Sequence, residues 1–258
     1  MTNPRDREVA LALDLAALAR PIVLKHYRTR LTVDAKADLS PVTIADRDCE
    51  AAMRAAINRA FPDHGIIGEE YGRERADAEF VWVLDPIDGT KSFITGKPLF
   101  GTLIALTQAG KPIVGVIDMP ALDERWWGAD DRGSVMNGQP VRSRPCAALG
   151  EAMLYATSPH MFRGADAAAF DRLAGVVRHP LWGADCYAYA LLAGGWSDIV
   201  VEASLQAYDF CACVPVVEGA GGVMTDWHGK PLTPASDGRI VAAGDPRLLE
   251  PILARLSA

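Results

Sequence analysis

The sequence predicts a mixed α+β fold in which sheets are covered by helices. Two segments near the N-terminus carry apolar residues at helical spacing, and several short strand-like segments joined by brief turns follow them. In the second half of the chain, strand-like and helix-like segments alternate. At 258 residues, half of them apolar, the chain lies between the usual sizes of one domain and two, and wholesale disorder is excluded.

Two helices are predicted in the first quarter of the chain. The first runs from Arg5 to Tyr27, and Pro21 is expected to bend or interrupt it. The second begins at Thr43-Ile44-Ala45-Asp46, which resembles a capping box with Asp in place of Glu or Gln, and Pro62 ends it. Its apolar face comprises Cys49, Ala52, Met53, Ala56, Ile57 and Ala60.

Five strands are predicted next, and their connections are short and marked by Gly or Pro. Such spacing favours an antiparallel or mixed sheet over repeated βαβ units. The predicted strands are Gly65–Gly68, Phe80–Leu84, Gly101–Thr107, Pro112–Asp118 and Glu124–Ala129.

The second half alternates between the two kinds of element, and Asp245-Pro246 gives its last helix an N-cap and a proline at the first helical position. Strands are predicted near Ala152–Thr157, Asp198–Glu202, Gly222–Asp226 and Ile240–Ala243. Helices are predicted near Ala165–Arg178, after Asp185, and at Asp209–Ala220.

The segment Arg142–Gly150 is the best candidate for a seam between two halves. Residues 1–145 would form an N-terminal α+β half and residues 146–258 a C-terminal α/β half, and the two would make one compact unit.

Composition excludes several classes of protein. The net charge is −7 and the pI is about 5.3, which disfavours a nucleic-acid partner. No apolar run approaches the ~20 residues that cross a bilayer. The five cysteines are odd in number and show no CxxC pairing, so reduced, mostly buried thiols are expected. The N-terminal residues also lack the apolar core of a signal peptide, and the expected location is the cytoplasm.

Two carboxylates follow directly on a predicted apolar strand. Asp85 and Asp88 lie three residues apart across a turn that Pro86 makes rigid and Gly89 allows to fold tightly. Such a turn can aim both carboxylates and a backbone carbonyl at one point, which is the oxygen-rich arrangement that Mg²⁺ prefers. The amides of Gly89 and Thr90 would then be free to receive an anion. The alternative is an Asp-Gly turn with a spare carboxylate.

Further acidic residues lie at other junctions and favour the metal site. Glu69 follows the strand-like Gly65-Ile66-Ile67, and Asp209 opens a predicted helix. Bringing several carboxylates together is costly unless a cation neutralises them.

Three motifs together resemble those of the inositol monophosphatase superfamily. They are Gly68-Glu69-Glu70, Asp85-Pro86-Ile87-Asp88-Gly89-Thr90, and Asp209 followed by Glu218-Gly219-Ala220-Gly221-Gly222. The resemblance extends from about Lys36 to Gly244. It implies a Mg²⁺-dependent phosphomonoesterase with a layered α/β/α/β/α sandwich, in which a metal-activated water attacks phosphorus directly.

The segments between the motifs are similar to the histidinol-phosphate phosphatase branch. They are Lys91–Thr102, Trp182–Tyr189 and Tyr208–Ala212. The resemblance therefore implies hydrolysis of L-histidinol phosphate to L-histidinol and phosphate, a step of histidine biosynthesis. Inositol phosphatases more often have Thr-Asn-Phe after Gly-Thr, and a small residue where this chain has Asp185.

The resemblance also implies a role for individual residues. One Mg²⁺ would be held by Glu69, Asp85 and the carbonyl of Ile87, and a second by Asp85, Asp88 and Asp209. A third, loosely held ion near Glu69 is expected from the resemblance, and Mn²⁺ is the alternative metal. The attacking water would lie near Glu69 and Thr90.

Asp46 would polarise the hydroxyl of Thr90, although at the start of a helix it could serve only as a cap. Lys36 would lie on a loop over the metals, and a solvated loop lysine is the alternative.

Asp185 and Glu202 correspond to positions that contact the alcohol part of the substrate, while Gly89 and Thr90 would contact its phosphate. Histidinol carries an ammonium group and an imidazole, which suit two carboxylates. Asp185 could instead cap the following helix, and Glu202 ends a buried-looking strand where an unpartnered charge would be costly.

The sequence also leaves other functions open. Inositol 1-phosphate and 3′-phosphoadenosine nucleotides are alternative substrates, and an inactive phosphate-binding module is a remote alternative. A covalent aspartyl-phosphate mechanism is disfavoured, because Asp85 and Asp88 are one residue too far apart for an Asp-x-Asp loop. A homodimer is expected, since relatives are commonly dimeric.

Overall fold

The computed structural model describes residues 5–29, 34–35, 41–42 and 44–257, with the backbone alone at 34–35 and 41–42. The helices are α1 Asp6–His26, α2 Ile44–Ala60, α3 Thr90–Ile94, α4 Ala165–Ala174, α5 Tyr187–Ala193, α6 Ala207–Phe210, α7 Cys213–Gly219 and α8 Leu249–Leu256. The strands are β1 Asp34–Ala35, β2 Pro41–Val42, β3 Gly65–Gly68, β4 Gly72–Glu74, β5 Phe80–Asp88, β6 Gly101–Gln108, β7 Lys111–Met119, β8 Glu124–Ala129, β9 Arg132–Met136, β10 Gln139–Pro140, β11 Met153–Ala156, β12 His179–Trp182, β13 Ile199–Glu202, β14 Val223–Asp226 and β15 Ile240–Ala243.

The two N-terminal helices are confirmed. Pro21 lies inside α1 without ending it, and its side chain is exposed. Of the two expected effects, the interruption is therefore wrong and the bend stays a prediction. The lost hydrogen bond of one proline is tolerated because the apolar face of α1 stays packed through Val23. The capping box predicted for α2 lies partly outside the described residues, since Thr43 is not among them.

An eight-stranded sheet contains all five strands predicted in the first half. Its order is β10-β9-β8-β7-β6-β5-β3-β4; β3 and β5 are parallel, and the other neighbours are antiparallel. The mixed sheet is therefore confirmed. Strands β4, β9 and β10 are additional to the prediction.

The five-stranded sheet has the order β12-β11-β13-β15-β14. Its edge strand β12 was not predicted, and the helix expected over Ala165–Arg178 ends earlier, at Ala174. The single helix predicted over Asp209–Ala220 is divided into α6 and α7. Pro215 explains the division, because it lacks the N–H that would bond to the carbonyl of Cys211.

The helices and sheets form five layers that are packed around three apolar cores. One core lies between α1, α2 and the outer face of the eight-stranded sheet; one lies between the two sheets around α5, α6 and α7; the last lies between the five-stranded sheet and α4 with α8. The layered α/β/α/β/α sandwich is confirmed. The central core joins residues such as Trp126 and Val216 from the two predicted halves, whose division at residue 145 stays a prediction.

Two further observations concern membrane-spanning helices and the cysteines. Within the described residues, no helix is long and apolar enough to cross a membrane. All five cysteines are buried and unpaired by disulfides, as the sequence indicated.

Candidate active site

A bulge at the end of β5 brings Asp85 and Asp88 to one side of the sheet. Asp85 pairs with Leu103 and Asp88 with Gly101, so three steps along β5 match only two along β6. Residues three apart on a regular strand would point to opposite faces, and the extra residue corrects this. Proline cannot donate a hydrogen bond to a neighbouring strand, but at a bulge the regular ladder of bonds is interrupted, so Pro86 is tolerated there. The carbonyl of Pro86 accepts a hydrogen bond of 2.8 Å from the hydroxyl of Thr102.

The third carboxylate comes from the other half of the chain. Asp209 is in the short helix α6, and its Oδ2 accepts a 2.6 Å hydrogen bond from the amide of Gln206 as part of a capping box. One carboxylate oxygen of each of Asp85, Asp88 and Asp209 lies within 4.8 Å of the other two. The layered fold therefore brings Asp209 to two acids that lie far from it in the sequence.

Burial, together with nearby acidic groups, disfavours the charged form of all three acids in the absence of a cation. Burial raises the pKa of Asp85 well above its usual range, and the charges of Glu69, Asp88, Asp209 and Asp46 raise it further. Burial and then the charge of Asp185 raise the pKa of Asp88, against a lowering by the 2.7 Å hydrogen bond from the Cys186 amide. Burial, with a smaller contribution from Glu202, raises the pKa of Asp209 to about 7.

The donor set fits a hard divalent cation. It consists of carboxylate oxygens, and among the described residues none donates a hydrogen bond to the buried Oδ1 of Asp85. A buried carboxylate oxygen without a partner is unfavourable in a protein that never binds a cation there. Mg²⁺ and Mn²⁺ prefer such all-oxygen sites.

Glu69 and Asp46 adjoin this cluster, as their effect on the pKa of Asp85 shows. Glu69 follows β3 immediately, and its amide donates to the carbonyl of Leu84 in β5. Asp46 lies in the first turn of α2 and is 2% exposed. The structure thus brings together the acids that the sequence singled out. Lys36 lies outside the described residues.

The backbone next to Asp88 is shaped for close approach. Gly89 adopts φ +79°, and a Cβ at that position would lie 3.0 Å from the carbonyl oxygen of Leu99 and 3.1 Å from Oδ2 of Asp185. The chain then enters α3, where the hydroxyl of Thr90 donates to the carbonyl of Ile87 over 3.1 Å. Two predicted site groups, Thr90 and the Ile87 carbonyl, therefore meet directly.

Asp185 leans over Gly89 from the C-terminal half. Its backbone is left-handed, with φ +48°, and its Oδ2 accepts a 3.1 Å hydrogen bond from the hydroxyl of Ser92 in α3. Burial raises its pKa, while Ser92 and the charges of Lys97 and Lys91 lower it. The N-cap of α5 is Cys186, without a side-chain capping bond, so the geometry does not favour the helix-cap alternative for Asp185.

Glu202 is 3% exposed and bonded within the protein. Its Oε1 accepts from the amide of Thr157 at 2.9 Å, and its Oε2 accepts from the hydroxyl of Tyr189 at 2.8 Å. Burial raises its pKa and these two bonds lower it. The cost anticipated for a charge at the end of β13 is thus offset by two internal donors.

Sequence reasoning missed the groups that hold the acids in place. They are the Cys186 amide, the Ser92 hydroxyl and the Tyr189 hydroxyl. The sequence did contain a signal for Ser92, since it lies in the Lys-Ser-Phe segment, which differs from the Thr-Asn-Phe that is more frequent in inositol phosphatases. An amide or a tyrosine on a distant element carries none.

Comparison with known proteins gives this site a family. The inositol monophosphatase family profile matches residues 5–258, which is nearly the whole chain. The chain belongs to the inositol monophosphatase family. This family consists of metal-dependent phosphatases, and the chain is a phosphomonoester hydrolase.

Relatives within the family carry more than one name. A bifunctional phosphatase IMPL2, described as chloroplastic, from Arabidopsis thaliana is 49% identical over 93% of this chain and 72% of its own length. A histidinol-phosphatase from Chlorobaculum parvum is 38% identical over 86% of this chain and 87% of its own. A solved inositol monophosphatase from Zymomonas mobilis is 46% identical, with a TM-score of 0.92 and 100% of both chains covered.

Proposed function

We propose that this family member is a Mg²⁺-dependent histidinol-phosphate phosphatase of histidine biosynthesis. The observation that supports this substrate is the position of Asp185. Its carboxylate lies beside Gly89 and close enough to Asp88 to raise the pKa of that residue. A phosphate received by the Gly89 and Thr90 amides would place its alcohol part toward Asp185, where a cationic group is favoured over a neutral hydroxyl.

The residues of the site would divide the work as follows. Glu69, Asp85 and the carbonyl of Ile87 would hold one Mg²⁺, and Asp88 and Asp209 would hold a second together with Asp85. Bound Mg²⁺ supplies Lewis-acid stabilisation of the charge on phosphorus oxygens and makes water more acidic. Asp46 would polarise the hydroxyl of Thr90 by accepting its proton in place of the Ile87 carbonyl, to which this hydroxyl donates in the structure. The Thr90 oxygen would then accept a hydrogen bond from the attacking water.

Substrate selection would depend mainly on Asp185. Ser92 occupies one of its oxygens and leaves the other for an ammonium or imidazolium group. Contact between Glu202 and the substrate stays a prediction. Because both of its oxygens are bonded inside the protein, Glu202 would have to exchange one internal bond for a bond to the substrate.

Inositol 1-phosphate is the second candidate substrate. It is favoured by one specific observation, the high similarity to a solved chain described as an inositol monophosphatase. The names of the histidinol-phosphatase relatives and the acidic group at residue 185 support the first candidate.

The test is phosphate release with Mg²⁺ from three substrates side by side: histidinol phosphate, inositol 1-phosphate and 3′-phosphoadenosine 5′-phosphate. We expect kcat/KM to be about 5- to 13-fold higher for histidinol phosphate, since a charge-assisted contact exceeds a neutral one by roughly 1–1.5 kcal/mol. Equal or faster release from inositol 1-phosphate would contradict the proposed substrate and leave the phosphatase site in place.

Two further expectations accompany this proposal. The buried, unpaired cysteines fit a reducing compartment such as the cytoplasm. A homodimer is expected from the family, and light scattering of the purified protein would measure its mass.

A further inference from the structure

The loop that carries Glu69 is a tight hairpin connection. Strands β3 and β4 are antiparallel, with Gly68 opposite Gly72, so the loop contains only residues 69–71. Gly72 has φ +68°, as the end of such a short loop requires. The amides at the tip of this loop point away from the ladder and need acceptors from elsewhere.

Glu50 of α2 supplies these acceptors. Its side chain is fully buried, with Oε2 at 2.7 Å from the amide of Glu70 and Oε1 at 3.2 Å from the amide of Tyr71. Hydrogen bonds from backbone amides to a buried carboxylate are strong because one partner is charged. The carboxylate therefore fixes the two residues that follow Glu69.

Arg54 completes the attachment of the loop to α2. It is one helical turn after Glu50, and its Nε donates to Oε1 of Glu50 over 2.7 Å. Its Nη2 also donates to the carbonyl of Gly72. Side chains of one helix thus hold both the tip and the far end of the loop, and the buried charge of Glu50 is paired.

Gly68 shows how closely the carboxylate and the strand fit together. A Cβ on Gly68 would lie 2.0 Å from Oε1 of Glu50, which is far inside contact distance. The last residue of β3 must therefore be glycine while Glu50 occupies this place. Asp46 is four residues before Glu50 on the same face of α2, so one rigid helix sets the positions of both Asp46 and Glu69.

We propose that Glu50 is a positioning residue that sets the orientation of Glu69 and, through it, the affinity of the site for Mg²⁺. This inference rests on the proposed function of Glu69 as a metal ligand. Glu50 itself touches neither metal nor substrate. It acts through the Glu70 and Tyr71 amides, and its effect is on metal binding first and on turnover second.

The test variant is Glu50→Gln. Glutamine keeps the shape of the side chain but turns one of its two terminal acceptors into a donor. That donor then faces the Glu70 amide in one orientation, or the Tyr71 amide and Arg54 in the other. We expect calorimetric titration of the metal-free protein with Mg²⁺ to give a Kd about 10- to 100-fold weaker than that of the unmodified protein. Excess Mg²⁺ should restore most of kcat.

Asp198→Asn is the matched control. Asp198 is 1% exposed and accepts from a backbone amide, that of Met153 at 2.8 Å, and from Arg144 at 2.8 Å. It precedes β13, whose opposite end carries Glu202. Both variants should lower the melting temperature, whereas only Glu50→Gln should weaken Mg²⁺ binding.

Arg54→Lys keeps the inference testable if Glu50→Gln fails to fold. It leaves the Glu50 carboxylate in place but removes the forked contact with the loop, and a several-fold weaker Kd for Mg²⁺ is expected. A Kd equal to that of the unmodified protein, in Glu50→Gln or in its replacement Arg54→Lys, would overturn the positioning role. Unmodified protein that binds no Mg²⁺ would instead refute the metal centre and, with it, this inference.

Discussion

Asp185→Asn is the substitution that separates the proposed substrate from its nearest rival. Asparagine has nearly the same shape as aspartate and tolerates the left-handed backbone at φ +48°. Its carbonyl oxygen can still accept the hydrogen bond from Ser92. The substitution therefore removes the negative charge and leaves the loop between β12 and α5 in place.

The size of the effect follows from the kind of contact that is lost. A hydrogen bond to a charged group contributes about 1.5–3 kcal/mol and a neutral one about 0.5–1.5 kcal/mol. We therefore expect kcat/KM for histidinol phosphate to fall by about 10- to 150-fold, and for inositol 1-phosphate by no more than about tenfold.

The assay is steady-state phosphate release on both substrates at saturating Mg²⁺. Asp123→Asn is the matched control, since Asp123 also has a positive φ, +57°, and its carboxylate contacts Arg20 on the surface. It should leave both kcat/KM values unchanged. A proportional loss on both substrates in Asp185→Asn would refute the specificity role and make Asp185 a structural residue.

Three further predictions concern the pH dependence, the Gly89 turn and Glu202. Because the pKa of Asp209 is raised to about 7 from an unfolded value of ~3.9, the metal-free folded protein binds more protons than the unfolded chain between these values. Its stability should fall as pH rises from 5.5 to 7, by up to about 1.4 kcal/mol per pH unit for this group, and a melting temperature in chelator that rises instead would contradict this. Gly89→Ala should lower kcat/KM on both substrates on the order of 100-fold, because its Cβ meets Leu99 and Asp185. Gly110 has φ +83° and open space around it, so Gly110→Ala should lower only the free energy of unfolding, by the ~1–2 kcal/mol that a left-handed backbone costs alanine. Equal activity in the Gly89→Ala and Gly110→Ala variants would refute the argument. Glu202→Gln should lower kcat/KM for histidinol phosphate selectively, but by less than Asp185→Asn does, because the internal hydrogen bonds of Glu202 compete with any bond to the substrate. An equal loss of kcat/KM on both substrates would mean that Glu202 serves only to hold Tyr189 and Thr157.

Local patterns predicted most of the fold. Strands β5 to β8 were recognisable because apolar runs and Gly or Pro turns alternate over short distances. Strand β12 was missed because Pro180 argues against a strand, yet proline is tolerated at a sheet edge, where β12 lies. The division of the last predicted helix was missed because the apolar spacing outweighed Pro215.

The candidate site was predictable only where its residues share a motif. Asp85 and Asp88 are neighbours in sequence, but the bulge that aligns them depends on pairing with β6, which no local pattern specifies. Glu50 was missed for a similar reason, since its partners are the amides of a distant loop. A signal was present, because Glu50 is an acidic residue on the buried face of α2 beside Cys49 and Met53.

We propose that Asp85, Asp88 and Asp209 form the metal centre of this phosphatase, and the substitution Asp88→Asn tests this proposal. Asparagine can keep the hydrogen bond from the Cys186 amide while relieving the repulsion among the buried acids. Measured on one preparation, Mg²⁺-dependent turnover of histidinol phosphate should fall about 10³-fold or more, because the metal contributes several kcal/mol to the transition state. The melting temperature of the metal-free variant should rise. Retained turnover, or turnover and stability lost together, would contradict the account.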